Sequence, residues 1–246
     1  MQRTPQNGFS LAYEPLDPED PARGSIAMIP WDSETFGFPV AQFRPGTRLP
    51  GDALFCWARR TGAELIAAIT PAADRERAAL LSTAGFRFVD FALLGHRGLA
   101  RDVRVPSLGL ELRRAEAADL PVLERIARTA FRAGRYHMDP RFPEALAGRR
   151  YARWIANALA RGEEVYVFGS PGEPHCFCHM VRGGDRVDLP LVAVEKEAQG
   201  GIYGAQLIAE SLKVAKAAGA RQVFVRISAA NLPALNLYAG LGFRFS

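Results

Sequence analysis

The chain has 246 residues, 48% hydrophobic and 23% charged; this is the balance of a folded globular protein, and no apolar run approaches the roughly 20 residues of a bilayer span. A net charge of +5 with a pI near 9.4 favours an anionic partner, either nucleic acid or a phosphorylated small molecule, although the arginines are scattered rather than gathered in one tract. Three cysteines, Cys56, Cys176 and Cys178, do not read as a disulfide framework, so reduced thiols and a cytoplasmic location are expected.

The length suits two domains, each able to bury its own core. Met1 to Gly24, with Pro5, Pro15, Pro18 and Pro21 among polar residues, is expected to be a loose arm and lacks the apolar centre of a signal peptide. Trp31, Phe36 and Phe38 then form an aromatic group that suits either a core or a ligand site.

Residues 66–88 (IAAITPAADRERAALLSTAGFRF) and 223–245 (VFVRISAANLPALNLYAGLGFRF) share one pattern. Each reads as an apolar strand, a turn, a helix of about ten residues, and Gly-Phe-Arg-Phe opening another strand, with Gly85 and Gly242 where a helix end needs positive φ. The second copy carries Asn231 and Tyr238 on one helical face, where the first has Asp74 and Leu81. The first copy continues through Phe88 to Gly95 as a full strand, whereas the second stops soon after Gly242, so its final strand is expected to be cut short, or completed by a further tail or another chain.

Arg101 to Gly109 is turn-rich and reads as a linker, which sets the expected domains at 1–105 and 106–246. Beyond it, Leu110 to Arg114 reads as a strand, and Ala118 to Arg132 and Pro143 to Arg161 as helices. Strands follow at Glu164 to Gly169, His175 to Val181 and Arg186 to Val194. An apolar strand from Leu189 to Val194 then leads to Gln199-Gly200-Gly201-Ile202-Tyr203-Gly204 and the amphipathic helix Ala205 to Ala218. A glycine-rich turn opening a helix offers backbone N–H groups and a positive dipole end, which suit a pyrophosphate. Such a turn also serves as an ordinary strand-to-helix connection.

The order of elements, the Gln199 to Gly204 turn after an apolar strand, and Asn231 with Tyr238, Gly242 and Phe243 resemble the acetyl-CoA motifs of the GNAT superfamily over about residues 110 to 246. Ile202 stands where the family pattern has its first glycine, and Gly200 and Gly201 precede it. Trp31 to Phe43 and Phe131 to Pro143 resemble segments of a narrower family, bacterial acetyltransferases that act on the 4-amino group of TDP-linked dideoxy sugars. The resemblance implies a mixed, mostly antiparallel splayed α/β sheet flanked by helices, preceded by a smaller partial domain of the same kind. It implies acetyl-CoA as cosubstrate, no metal, and a homodimer.

On that resemblance the Leu191, Val192, Ala193 and Val194 backbone pairs with pantetheine, and Gln199, Gly200, Gly201, Ile202, Tyr203, Gly204 and Ala205 hold the pyrophosphate. Asn231 caps its helix or bonds CoA. Tyr238 is the expected general acid, since a phenol stays protonated at neutral pH and can reprotonate a departing thiolate. Tyr136, His137, Asp139, Trp31 and Phe36 are expected at the acceptor, a nucleotide-linked amino sugar of the dTDP-4-amino-4,6-dideoxyhexose type. Peptide, polyamine or antibiotic amines are alternative acceptors. A non-catalytic acyl-CoA-binding module and a basic nucleic-acid-binding module are remoter alternatives, the latter lacking any recognisable arrangement of basic and aromatic residues. His175, Cys176, Cys178 and His179 alternate along a strand, so they cannot converge on a metal.

Overall fold

The computed structural model describes residues 11–196 and 202–246. Its contacts divide the chain between Val89 and Asp90, and among the described residues no helix is long and apolar enough to cross a membrane.

The N-terminal unit has a four-stranded sheet in the order β1 (Glu14–Pro15), β2 (Gly24–Met28), β3 (Val40–Pro45), β4 (Leu65–Ala68). The first three strands pair antiparallel, and β4 joins β3 in parallel. Between them run α1 (Pro30–Phe36) and α2 (Asp52–Thr61), and α3 (Arg75–Thr83) follows β4. Ile26, Ala41 and Phe43 of the sheet bury against Leu54 and Trp57 of α2 and Leu81 of α3. Residues 11–24 are not a loose arm. Glu14 and Pro15 pair with Ser25 and Ile26, Leu16 is buried, and the Glu14 carboxylate accepts the Trp57 indole N–H at 2.6 Å.

The C-terminal unit has a seven-stranded sheet in the order β11-β5-β10-β9-β8-β7-β6. Its elements are β5 (Ala92–Gly98), β6 (Arg113–Arg114), α4 (Leu120–Ala130), α5 (Arg135–Met138), α6 (Glu144–Ala160), β7 (Glu164–Ser170), β8 (Glu173–Gly183), β9 (Arg186–Val194), α7 (Tyr203–Ala217), β10 (Gln222–Ser228), α8 (Leu232–Gly240) and β11 (Arg244–Phe245). All strand pairs are antiparallel except β9 with β10. One face of the sheet packs on α7 and α8 through Leu207, Ile208, Leu212 and Tyr238. The other packs on α4 and α6 through Leu123, Ile126, Trp154 and Ile155.

The division at Val89 precedes the expected linker because β5 lies between β10 and β11, pairing Ala92–Gly98 with Gln222–Ser228 along its whole length. Sequence similarity assigns this strand to the first copy of the repeat, but its hydrogen bonds go to the second. Phe88 lies outside β5 and is 82% exposed. The expected strand at Leu110 to Arg114 shrinks to Arg113–Arg114. There the Arg113 guanidinium grips Asp119 with two bonds of 2.7 and 2.9 Å, and Asp119 also accepts the Glu116 and Gly172 N–H groups.

Candidate active site

The site begins with a proline in a strand. β8 and β9 stay in register from Cys176↔Val194 to His179↔Leu191 and resume at Val181↔Asp188, so Leu189 and Pro190 together face Met180 alone. Proline cannot donate to the ladder and is tolerated within a sheet where such a bulge releases it. The extra residue reverses the alternation of side chains. Val187 and Leu189 bury against the α7 and α8 face, whereas Leu191 and Ala193 bury against the α4 and α6 face.

The bulge also marks a fork. β10 pairs with β9 only at Gln222–Phe224 against Arg186–Asp188. Past that point Val225–Ser228 pairs with β5 alone, and Leu191–Val194 with β8 alone. Among the described residues, one backbone edge of Leu191, Val192 and Ala193 therefore has no strand beside it, and an extended ligand with amide groups can pair there.

α7 points its N-terminus at the open end of this fork. Gln206 is the first residue whose N–H closes an intrahelical bond, to Ile202 at 2.9 Å; N–H groups of the preceding turn are available to a ligand by helix geometry. Gly204 is buried there, and a Cβ on it would meet Leu237 Cδ2 at 3.3 Å and Val194 Cγ2 at 3.6 Å. The end of β9, the start of α7 and the helix bearing Tyr238 thus meet around one glycine. Gln199, Gly200 and Gly201 lie outside the described residues.

Tyr238 is 5% exposed, with the Phe243 ring set edge-on at 4.9 Å. Burial first, and the Cys178 thiol second, push its phenol well above the usual range, so it holds its proton at any physiological pH. No hydrogen bond engages the hydroxyl among the described residues. Cys178 lies opposite Val192 across the β8–β9 ladder, which links the phenol's surroundings to the open stretch of β9. Asn231 caps α8, its Oδ1 accepting the Ala234 N–H at 3.2 Å.

The fork's mouth carries charge. Glu195, directly after β9, accepts from Arg125 at 2.5 Å and faces His175 Nδ1 at 3.5 Å, while the His175 ring meets Tyr203 edge-on at 6.4 Å. Arg125, against the opposing effect of burial, keeps the Glu195 carboxyl below its usual range. On the other side of β8, buried His179 contacts Glu163 at 2.7 Å through Nε2. Burial opposes ionisation of Glu163, but His179 and Arg161 outweigh it and bring the carboxyl down to about 2. His179 is thereby separated from buried Cys176 and Cys178, which bury against the α7 and α8 face. No group of three or more metal-ligating side chains occurs among the described residues.

The expected acceptor residues are spread more widely. Tyr136 is buried beneath the Arg135 and Arg150 guanidinium groups and against Phe142. His137 stacks on Tyr151 with ring centres 5.7 Å apart, its Nδ1 buried without a partner among the described residues. Burial lowers its pKa below the usual histidine value, so the ring is neutral. Asp139 holds Arg141 with bonds of 2.9 and 2.7 Å. Trp31 and Phe36 belong to α1 in the N-terminal unit, where Phe36 stacks on Phe38 at 5.8 Å. The fork itself had one signal in the sequence, Pro190 inside an otherwise apolar strand. Arg226, discussed below, had another, a charge breaking the apolar run of β10.

Residues 135–243 match the family model described as "Acetyltransferase (GNAT) family". No curated protein sequence matches the chain. Among solved structures, a GCN5-related N-acetyltransferase from Sphaerobacter thermophilus is similar at a TM-score of 0.62 and 15% identity, over 91% of this chain and 74% of that one. A tandem GNAT protein from the clavulanic acid biosynthesis pathway gives 0.58 and 19%, over 90% and 75%. A GCN5-related N-acetyltransferase from Kribbella flavida gives 0.59 and 12%, over 96% and 86%. The fold is therefore the GNAT fold, and the fit to a tandem protein accommodates an additional partial domain ahead of the complete one. The segment matched by the family model lies within the C-terminal unit.

Proposed function

We propose that the chain transfers an acetyl group from acetyl-CoA directly to the amine of a nucleotide-linked amino sugar, of the dTDP-4-amino-4,6-dideoxyhexose type. The observation that carries the transferase chemistry is the fork where β10 leaves β9, with the α7 N-terminus at its mouth and a buried phenol on α8. The acceptor class rests on the Trp31 to Phe43 and Phe131 to Pro143 segments.

The residues fit an acyl-CoA. Gly204 lets the start of α7 pack closely on Leu237 and Val194, where a Cβ would meet them at 3.3 and 3.6 Å, and the first turn of α7 suits a diphosphate. When bound, acetyl-CoA supplies an activated acyl carbon as its thioester. A backbone N–H of the 191–194 stretch polarises the acyl oxygen, and it does so more effectively because the strand is rigidly paired to β8. Tyr238 donates its proton to the sulfur as the C–S bond breaks and the N–C bond forms. The proton lost by the amine then returns to the phenolate through water, so the residue ends as it began. Neutral His137 on α5 is the candidate to receive that amine proton or to bond the acceptor. Asn231, besides capping α8, is the candidate to bond CoA.

The deciding experiment compares kcat/KM across a panel of amines at fixed acetyl-CoA. TDP-4-amino-4,6-dideoxyhexoses are expected to exceed a peptide N-terminus, a polyamine and an aminoglycoside by at least about 100-fold. Equal rates across the panel would remove the sugar and leave the acetyltransferase.

A further inference from the structure

Beyond the fork, the sheet has a face on which neither buried helix–sheet cluster of the described residues lies. Val223, Val225 and Ile227 of β10 bury on the α7 and α8 side, so by alternation Phe224, Arg226 and Ser228 point the other way. Leu94 and His96 of β5 sit directly across from Arg226 and Phe224 and share that face, while Arg186 and Asp188 of β9 border it. α4 and α6 bury against β7, β8 and the far end of β9, and their cluster includes no residue of β10 or β5.

The charges on this face are unevenly matched. Arg186 spends its donors on Asp188, at 2.5 and 3.0 Å, and lays its guanidinium 3.6 Å over the Phe224 ring. Arg226 makes no hydrogen bond or ion pair among the described residues. It is exposed to solvent, and partial desolvation lowers its pKa. Asp188 works against that lowering, and Arg135 and Arg186 add to it. Arg226 is also the first residue on its face past the last β9–β10 pair, Phe224↔Asp188, which places it at the fork. An exposed guanidinium with five donors to spare, on the face that Arg186 covers at Phe224, suits an anion with several oxygens.

We propose that Arg226, supported by Arg186 and Arg135, binds the diphosphate of the acceptor, on the face of the fork opposite α7. The assignment rests on the acceptor reading above. The fork then separates two diphosphates: that of the acyl donor at the α7 N-terminus, and that of the acceptor at Arg226. Arg135 opens the short helix α5 that carries His137, so an acceptor held there extends its sugar toward α5.

The test measures binding of thymidine diphosphate by calorimetry with coenzyme A kept saturating, so that the donor site is filled. The wild-type protein is expected to bind. Arg226→Gln is expected to weaken binding about tenfold or more, with Arg226→Lys between the two. In turnover, Arg226→Gln raises the KM for the amino sugar by a similar factor and leaves the KM for acetyl-CoA within about twofold; retained thermal stabilisation by coenzyme A shows that the variant is folded. The site is overturned if thymidine diphosphate does not bind, if it binds Arg226→Gln as tightly as wild type, or if the KM for acetyl-CoA rises instead. The acceptor reading fails separately. Arg226-dependent binding in a protein that acetylates none of the amino sugars keeps the anion site and removes the sugar, whereas acetylation indifferent to Arg226 does the reverse.

Discussion

The two copies of the repeated segment, β4–α3 and β10–α8, solve the same local problem and end with different capabilities. Each follows a strand with an Asx cap: Asp74 accepts the Arg77 N–H at 3.0 Å, and Asn231 accepts the Ala234 N–H at 3.2 Å. Each ends its helix before a glycine of nearly equal φ, +85° at Gly85 and +83° at Gly242. Each buries one side chain at the same point of the helix, Leu81 or Tyr238. The strands differ. β4 runs beside β3 in register from Val40↔Leu65 to Phe43↔Ala68, along its whole length, whereas β10 leaves β9 after three pairs. A fork and a phenol distinguish the copy assigned to catalysis from the copy that only packs.

The largest expected effect separates the two buried side chains. Tyr238→Phe keeps the ring and removes the proton, so kcat should fall by about 100-fold or more while the Kd for coenzyme A stays within about threefold. Leu81→Ala should instead cost about 2 to 5 kcal/mol of stability and leave kcat per folded molecule unchanged. Denaturant melts combined with steady-state kinetics check both, and an active Tyr238→Phe would erase the distinction between the copies.

A smaller effect concerns Asp119 of the C-terminal unit. The Arg113 guanidinium, against the cost of burial and with help from the Glu116 and Gly172 N–H groups, lowers its carboxyl from 3.8 to about 2. Because the folded pKa lies below the unfolded one, this stabilisation is complete above roughly pH 5 and disappears as pH falls toward 2. Asp119→Asn should therefore lose about 2 kcal/mol at pH 7 and match wild type near pH 2. Urea melts across that range test the sign. The smallest effect belongs to the caps: Asp74→Ala and Asn231→Ala should each cost about 1 kcal/mol. A rise in the acetyl-CoA KM for Asn231→Ala alone would give that residue a second role.

Periodicity and turn chemistry carried much of this into the sequence. β9 spans the expected Arg186–Val194, α6 and α7 differ from expectation by a residue or two at each end, and both positive-φ glycines follow from the need to leave a helix. Local signals fail where partners are distant. Nothing within Ala92–Gly98 says that it pairs with β10 rather than closing its own repeat, because strand pairing depends on which edge is vacant. β10 offers β5 the edge opposite β9, and β5 fills it along Gln222–Ser228. α5 is too short for its period to register. Arg226 shows in the sequence only as a charge breaking the apolar run of β10, and the nearness of Arg186 to its face follows from strand pairing.

The position of β5 also affects how the protein is made. During synthesis this strand leaves the ribosome before the helices and strands that precede β10, so it must wait for its partner. Its sheet closes by a long-range contact, which is slow to form. The C-terminal unit thus completes its sheet only once β10 has been made, around a segment made early.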